Sequence, residues 1–275
     1  MKLFISADME GISGIVDPSQ VNPEAGASYA RGQKMMTADV NAVIEAALEA
    51  GVTEIVVADS HHKMTNILYD ELHPAASLIA GSPRDFSMMQ GLDNRFDAAF
   101  FIGYHARHGV PGVLSHTMSG VIKNMYINSQ VVGEFGFNAV YAGLCGVPVC
   151  LVSGDDQIAL EAQALIPGIT TAVVKKAISR TAAQCLSRTE STALLKAQTK
   201  RALSRIASVS PLRVETPLEL TIEFTHAGEA EMVSIIPGCV YQQGSTVVTY
   251  KAADQYDLYR TMRAMINLAD TVTFF

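Results

Sequence analysis

The sequence predicts an α/β protein: a three-layer, mostly parallel sheet domain with a second, smaller α+β domain. Three observations lead there. Short apolar or β-branched runs alternate with helical patterns through the first 166 residues. Clusters of carboxylates and imidazoles recur just after those runs. Past about Ile166 the pattern changes to half-apolar alternation and amphipathic helices.

Lys2 to Ala7 is a short apolar run suited to a buried strand. Met36, Val40, Val43, Ile44, Ala47 and Leu48 recur at helical spacing, and Gly51 stops the helix. Thr53 to Ala58 and Ala98 to Ile102 read as the next strands. Met125 to Val132 reads as a hairpin turning at Asn128-Ser129. A helix is expected from about Glu134 to Leu144, and a further buried strand from Pro148 to Ser153. Thr189 to Ala207 has one apolar face, with Leu194, Leu195, Ala202, Leu203 and Ile206. Leu218 to Phe224 alternates apolar and polar residues as a half-exposed strand does, and Val247 to Lys251 is similar. Asp254 to Ala269 closes the pattern as an amphipathic helix. The expected domains are 1–166, carrying the polar clusters, and 167–275; with no low-complexity linker or internal repeat, the boundary is soft.

The chain's 275 residues are 49% hydrophobic and 17% charged, enough to bury a sizeable core. The net charge is −7, with no run of Lys and Arg, which argues against a nucleic-acid binder. No apolar run approaches the roughly 18 residues of a membrane helix. The apolar N-terminal stretch is cut short by Asp8, unlike a signal peptide, so a cytoplasmic protein is expected. Cys145, Cys150, Cys185 and Cys239 form no CxxC pair and read as reduced, mostly buried thiols.

The chemistry lies at the strand ends. Asp8 and Glu10 follow the first strand, Asp59, Ser60, His61 and His62 the second, Tyr104 and His105 the third, Asp155 and Asp156 a fourth. Ligands of open parallel sheets bind at such carboxyl ends. Residues two apart in an extended segment face one side, so Asp8 and Glu10 can share a metal. Mixed imidazole and carboxylate ligands favour zinc or a similar first-row ion. Two divalent ions carry +4; Asp8, Glu10, Glu134 and a bridging hydroxide balance them. Each residue also has an ordinary reading. Asp8 and Glu10 suit a solvated turn, and Glu134 suits a helix N-terminus on dipole grounds alone. Asp155 suits a helix N-cap. Asp59 suits a residue orienting a ligating imidazole. His105 and His116 are each compatible with a structural role, His73 precedes Pro74 and reads as structural, and His108 and His226 read as surface residues. Spacing does not choose His61 over His62, or His105 over His108.

Six motifs in order sharpen this. Ser6-Ala7-Asp8-Met9-Glu10-Gly11-Ile12-Ser13-Gly14, Asp59-Ser60-His61, Gly103-Tyr104-His105-Ala106, Pro111-Gly112-Val113-Leu114-Ser115-His116, Gly133-Glu134 with Asn138-Ala139, and Ser153-Gly154-Asp155-Asp156 span most of the chain. Together they resemble the zinc-dependent D-aminopeptidase family whose type member is encoded in a bacterial dipeptide-transport operon. The resemblance implies two zinc ions per subunit: Asp8 shared, Glu10 and His61 completing one site, His105 and Glu134 the other. It implies His116 as the catalytic histidine, short peptides with N-terminal D-alanine as substrates, and a homodecamer of two stacked five-membered rings around an inner chamber. His62 departs from the family pattern, where a smaller polar residue is expected.

On this reading a metal-activated water attacks the scissile carbonyl, and His116 stabilises the oxyanion or protonates the leaving amine. The same ligand set would serve another metal-dependent amidase, deacylase or phosphoesterase. A non-catalytic peptide- or metal-binding scaffold is the alternative outside enzymes. A nucleotide-binding protein is disfavoured, because no GxGxxG or P-loop follows a strand.

Overall fold

The computed structural model describes residues 1–272. In chain order the elements are β1 (Lys2–Ala7), α1 (Ala27–Glu49), β2 (Glu54–Asp59), β3 (Ala76–Ile79), β4 (Ala98–Ile102), β5 (Ile122–Ile127), β6 (Gln130–Val132), α2 (Glu134–Leu144), β7 (Val149–Asp155), α3 (Asp156–Leu165), β8 (Thr170–Ser179), β9 (Ala182–Cys185), α4 (Arg188–Ser204), β10 (Leu218–Phe224), α5 (Ala227–Val233), β11 (Cys239–Tyr241), β12 (Val247–Ala252) and α6 (Gln255–Ala269).

The main sheet has the order β3-β2-β1-β4-β7-β8-β9 and is parallel except for the last pair. β4 and β7 are buried at every position and β1 at all but its first. Strands covered on both faces need no alternation, which is why they read as continuous apolar runs. Helices α1 and α4 pack on each other, and α4 also touches β7 and β8; α3 lies on β7 and β8 and touches α2.

The second sheet, β11-β12-β10-β5-β6, is antiparallel. Every second residue of β10 is buried, and the α5–α6 pair packs against this sheet. The β5–β6 hairpin turns at Asn128 and Ser129, both at positive φ (48° and 66°), as a tight hairpin requires.

Sheet membership does not follow the division expected at residue 166. β8 and β9 lie beyond it but complete the main sheet, and β5 and β6 lie before it but belong to the second. Lys175 and Lys176 interrupt the apolar run of β8 and hide it as a buried strand. The helix expected over Thr189–Ala207 ends at Ser204 and continues as a short 3-10 turn over Ile206–Ser208. Among the described residues no helix is long and apolar enough to cross a membrane.

Candidate metal centre

The strand order reverses between β1 and β4: β2 and β3 extend one way, β4 and β7 the other. A crevice opens at such a switch point beyond the strands' carboxyl ends. Register brings the ends level, since Ala7 pairs with Asp59 on one side and Ile102 on the other. The residues just past them therefore meet: Asp8, Glu10, His61 and His105.

Each loop is fixed by main-chain bonds. Asp8 N donates to Ile102 O at 2.8 Å, and Gly11 N to Gly103 O at 2.7 Å. Gly11 sits so close to β4 that a Cβ there would lie 1.9 Å from Tyr104 O. Gly103 adopts φ +73°, a conformation glycine takes without cost. The segment after Glu10 is held from below by Lys175, fully buried on β8. Its ammonium donates to Glu10 O (2.6 Å), Ile12 O (3.0 Å) and Ile15 O (2.5 Å), so three donors meet three acceptors. Burial lowers this lysine to about 8. Asp39 receives Ser13 N at 2.9 Å and pairs with Arg188 at 2.6 Å, fixing the same segment from α1.

Asp59 has a different role from the one expected. It accepts Asn66 N (2.5 Å), Asn66 Nδ2 (2.7 Å) and Ile67 N (2.7 Å), so it folds the loop after β2 and does not orient an imidazole. Asp155 caps α3, accepting Gln157 N and Ile158 N, and its second oxygen takes Val113 N at 2.7 Å. It thereby anchors the loop that carries His116. Asp156 accepts Ala177 N on β8. Neither Asp155, at the end of β7, nor Asp156, opening α3, joins the cluster.

The remaining residues converge. Asp8, Glu10, His61, His105 and Glu134 are all buried, and His116 is partly exposed. His61 Nδ1 lies 3.4 Å from Asp8 Oδ1 and 3.0 Å from Glu10 Oε2. His105 Nε2 lies 3.5 Å from Asp8 Oδ2 and 3.3 Å from Glu134 Oε1, and His116 Nε2 lies 3.5 Å from the same Glu134 oxygen. The two oxygens of Asp8 thus face two different histidines. The His105 and His116 rings stack at 4.2 Å. Glu134 opens α2, and its Oε1 accepts Met118 N at 2.7 Å.

The outer ring nitrogens decide what the inner ones can be. His61 Nε2 faces Val21 O at 2.8 Å, His105 Nδ1 faces Ala106 O at 3.0 Å, and His116 Nδ1 faces Leu114 O at 3.0 Å. A carbonyl only accepts, so each of these nitrogens carries the hydrogen. In a neutral ring the other nitrogen is then a lone pair aimed at carboxylate oxygens. That opposition needs either a second proton or a cation between the groups. Seven buried side-chain polar atoms among the described residues lack a hydrogen-bond partner, and three of them converge here: Asp8 Oδ2, Glu10 Oε2 and His105 Nε2. Two donors each about 2.1 Å from one tetrahedral zinc stand roughly 3.4 Å apart, close to the observed spacings. Asp8, Glu10 and His105 form one group able to hold an ion, and His105, His116 and Glu134 a second. The residues present fit zinc.

Without metal the charges rearrange. Burial, then the Glu10 charge, pushes Asp8 well above the carboxylate range, while His61 outweighs burial and holds Glu10 well below it. Burial alone would lower His105, but Glu134, Asp8 and Glu10 push it up to about 10. Burial and the neighbouring His105 lower His116. Both raised groups favour a proton held between the same imidazoles and carboxylates.

The site's other features are second to these. His62, at φ 49°, has its ring 6.1 Å from that of His61 and lines a cavity of about 480 Å³ in front of the centre with Asp8, Glu10, His116 and Glu134. Behind the centre runs a buried network that sequence reasoning missed: Tyr104 OH meets Ser6 Oγ at 2.7 Å and Asn138 Nδ2 at 3.0 Å, Ser6 meets Ser60 at 2.7 Å, and Tyr259 OH donates to Asn138 at 2.8 Å. Lys175 was missed too; a lysine within the otherwise apolar Val173–Val174 strand was its visible signal. His73 accepts Ala75 N, a structural role as expected. The cysteines are free; burial pushes Cys150 up to about 12, and Cys145 and Cys239 up to about 11, away from nucleophilic thiolates.

A parallel α/β sheet with imidazoles and carboxylates at its switch point defines a metallohydrolase site. The chain matches the family model described as D-aminopeptidase over residues 1–264. It is 44% identical over 274 residues to the D-aminopeptidase of Bacillus subtilis (strain 168), covering 100% of both chains. The solved structure of Zn-dependent D-aminopeptidase DppA from Bacillus subtilis, described as a self-compartmentalizing protease, superposes with a TM-score of 0.98 at 44% identity, covering 100% of both chains. The chain belongs to the D-aminopeptidase family and is a zinc-dependent peptidase of the hydrolase class.

Proposed function

We propose that each subunit binds two zinc ions and releases N-terminal D-amino acids from short peptides. Asp8, Glu10 and His61 would hold one ion; Asp8, His105 and Glu134 would hold the other. The observation that carries this is the tautomer pattern: three imidazoles each donate outward to a main-chain carbonyl and turn the second nitrogen toward carboxylates. The two oxygens of Asp8, facing His61 and His105 separately, support a shared ligand.

Bound zinc supplies Lewis acidity and an acidified water. The chain's own residues do the rest. His116 is the most exposed of the three histidines and opens on the cavity, while its Nδ1–H is fixed on Leu114 O. Its Nε2 can accept a proton from the attacking water and return it to the leaving nitrogen as the C–N bond breaks. Gly112, close beneath Asp155 Oδ2, and Asp155 hold the loop that aims it.

One observation favours a second role for His116: it groups with His105 and Glu134 as a possible ligand set. Metal analysis separates the roles. Asp8→Ala should lose both ions. His116→Ala should keep two zinc ions while kcat falls by roughly 10²–10⁴-fold; loss of one equivalent in His116→Ala makes it a ligand instead, and two equivalents in Asp8→Ala contradicts the shared-ligand assignment.

We further propose that the chain works as a homo-oligomer, a decamer of two five-membered rings, in the cytoplasm. The self-compartmentalizing relative supports assembly. The exposed side chains of Ile178, Ile235 and Val240 are apolar surface that contact between copies would cover.

A further inference from the structure

The cavity in front of the metal centre continues into a second one of about 600 Å³. The two share His62, Met64, Ser87 and Met118 as a common wall. Their linings differ in charge. The first carries Asp8, Glu10 and Glu134; the second carries Lys63 and Arg263, with Asp270 the only acid among the described residues. Asp270 is engaged, since its carboxylate accepts Ser119 Oγ at 2.7 Å.

Met262, Arg263, Ile266, Asn267 and Asp270 line this second cavity from the C-terminal end of α6, at spacings that share one helix face. Neighbouring arginines are already committed. Arg260 pairs with Asp85 at 2.5 Å and lies over the Phe86 ring, and Arg84 donates to Ile79 O and Asp59 O. Arg263 is half-buried, and neither it nor Lys63 forms a hydrogen bond or ion pair among the described residues. A half-buried guanidinium without a partner favours a planar anion, and a carboxylate matches its fork.

We propose that this second cavity is the carboxylate end of the substrate cleft, where Arg263, assisted by the charge of Lys63, binds the free C-terminal carboxylate of a short peptide. The inference rests on the aminopeptidase reading above, which puts the substrate's N-terminal residue at the metal centre. A cleft with the metal centre at one end and a cationic wall at the other then selects short peptides with a free C-terminal carboxylate. Peptides too long to seat their terminus in the second cavity, or blocked as amides, lose the contact.

The test uses a non-hydrolysable isostere, a D-Ala-Ala or D-Ala-Ala-Ala peptide with its first peptide bond reduced, prepared both as free acid and as C-terminal amide. Calorimetry on the zinc-loaded full chain should show the acid of at least one length binding about tenfold tighter than its amide, as one charged hydrogen-bonded contact implies. In Arg263→Met that ratio should fall toward one, and Arg263→Lys should restore part of it. The same ratio should appear in KM, and not in kcat, for the hydrolysable peptides. Equal binding of acid and amide at both lengths by the parent chain overturns the proposal, and so does an unchanged ratio in Arg263→Met with zinc content intact. If neither acid nor amide is hydrolysed while the binding ratio behaves as expected, the aminopeptidase reading fails and the carboxylate subsite stands.

Discussion

At the scale of single residues, the centre is a contest between protons and cations for the same lone pairs. In the metal-free chain His105 is pushed up to about 10, because Glu134, Asp8 and Glu10 outweigh its burial. On the proposed ligand set, zinc at His105 displaces the proton that this shift favours. Lowering the pH favours the protonated ring, so zinc affinity must fall as pH falls and rise with pH up to about 10. For one displaced proton the change is about tenfold per pH unit. Calorimetric titration of zinc in buffers of different ionisation enthalpy should show proton release on binding; pH-independent affinity between 6 and 9 would contradict the protonated apo centre. Spacing does not separate His61 from His62, which follow Asp59-Ser60 in succession; backbone conformation does, since His62 takes a left-handed φ while the His61 ring faces Val21 O and sets Nδ1 against Asp8 and Glu10. The role of Asp59 was misread for a related reason. Its partners, Asn66 and Ile67, sit seven and eight residues on, where no motif points to them.

At the scale of elements, strand ends carry the site and close packing sets their height. β1, β4 and β7 were legible as apolar runs because both faces are covered, and α2 began where Gly133-Glu134 suggested. The short edge strands β3, β9 and β11 were not, since four residues or fewer carry too little periodicity. The two sheets do not divide at residue 166, because their strands interleave along the chain, and partners as distant as Leu220 and Ile127 leave no local mark. Gly11 tests how tightly an element end controls the centre. Alanine there would drive Cβ into Tyr104 O and Gly103 C, forcing the Glu10 segment away from β4. Gly11→Ala should lower bound zinc and cut kcat/KM by roughly 10²-fold, the scale of an ångström misplacement. Metal analysis beside kinetics checks it, and full zinc with unchanged kinetics would mean the segment relaxes harmlessly.

At the scale of the whole molecule, two sheets meet around one cleft. The main sheet brings Asp8, Glu10, His61 and His105 together at its switch point, and α6, packed on the second sheet, lines the adjoining cavity. The Tyr259–Asn138–Tyr104–Ser6 chain of hydrogen bonds ties α6 to the strand ends behind the centre. Exposed Ile235 and Val240 lie on the outer, α5–β11 side of the second sheet and are candidates for contact between copies. Light scattering should find one species at ten times the subunit mass, and a monomer would remove the basis for an enclosed chamber.

The most direct test of the central claim is hydrolysis of D-Ala and L-Ala dipeptides by zinc-analysed protein, with and without a chelator. The account predicts two zinc ions per subunit, release of free D-alanine well ahead of L-alanine, loss of turnover on chelation and recovery on adding zinc. Turnover that survives complete removal of metal would contradict it.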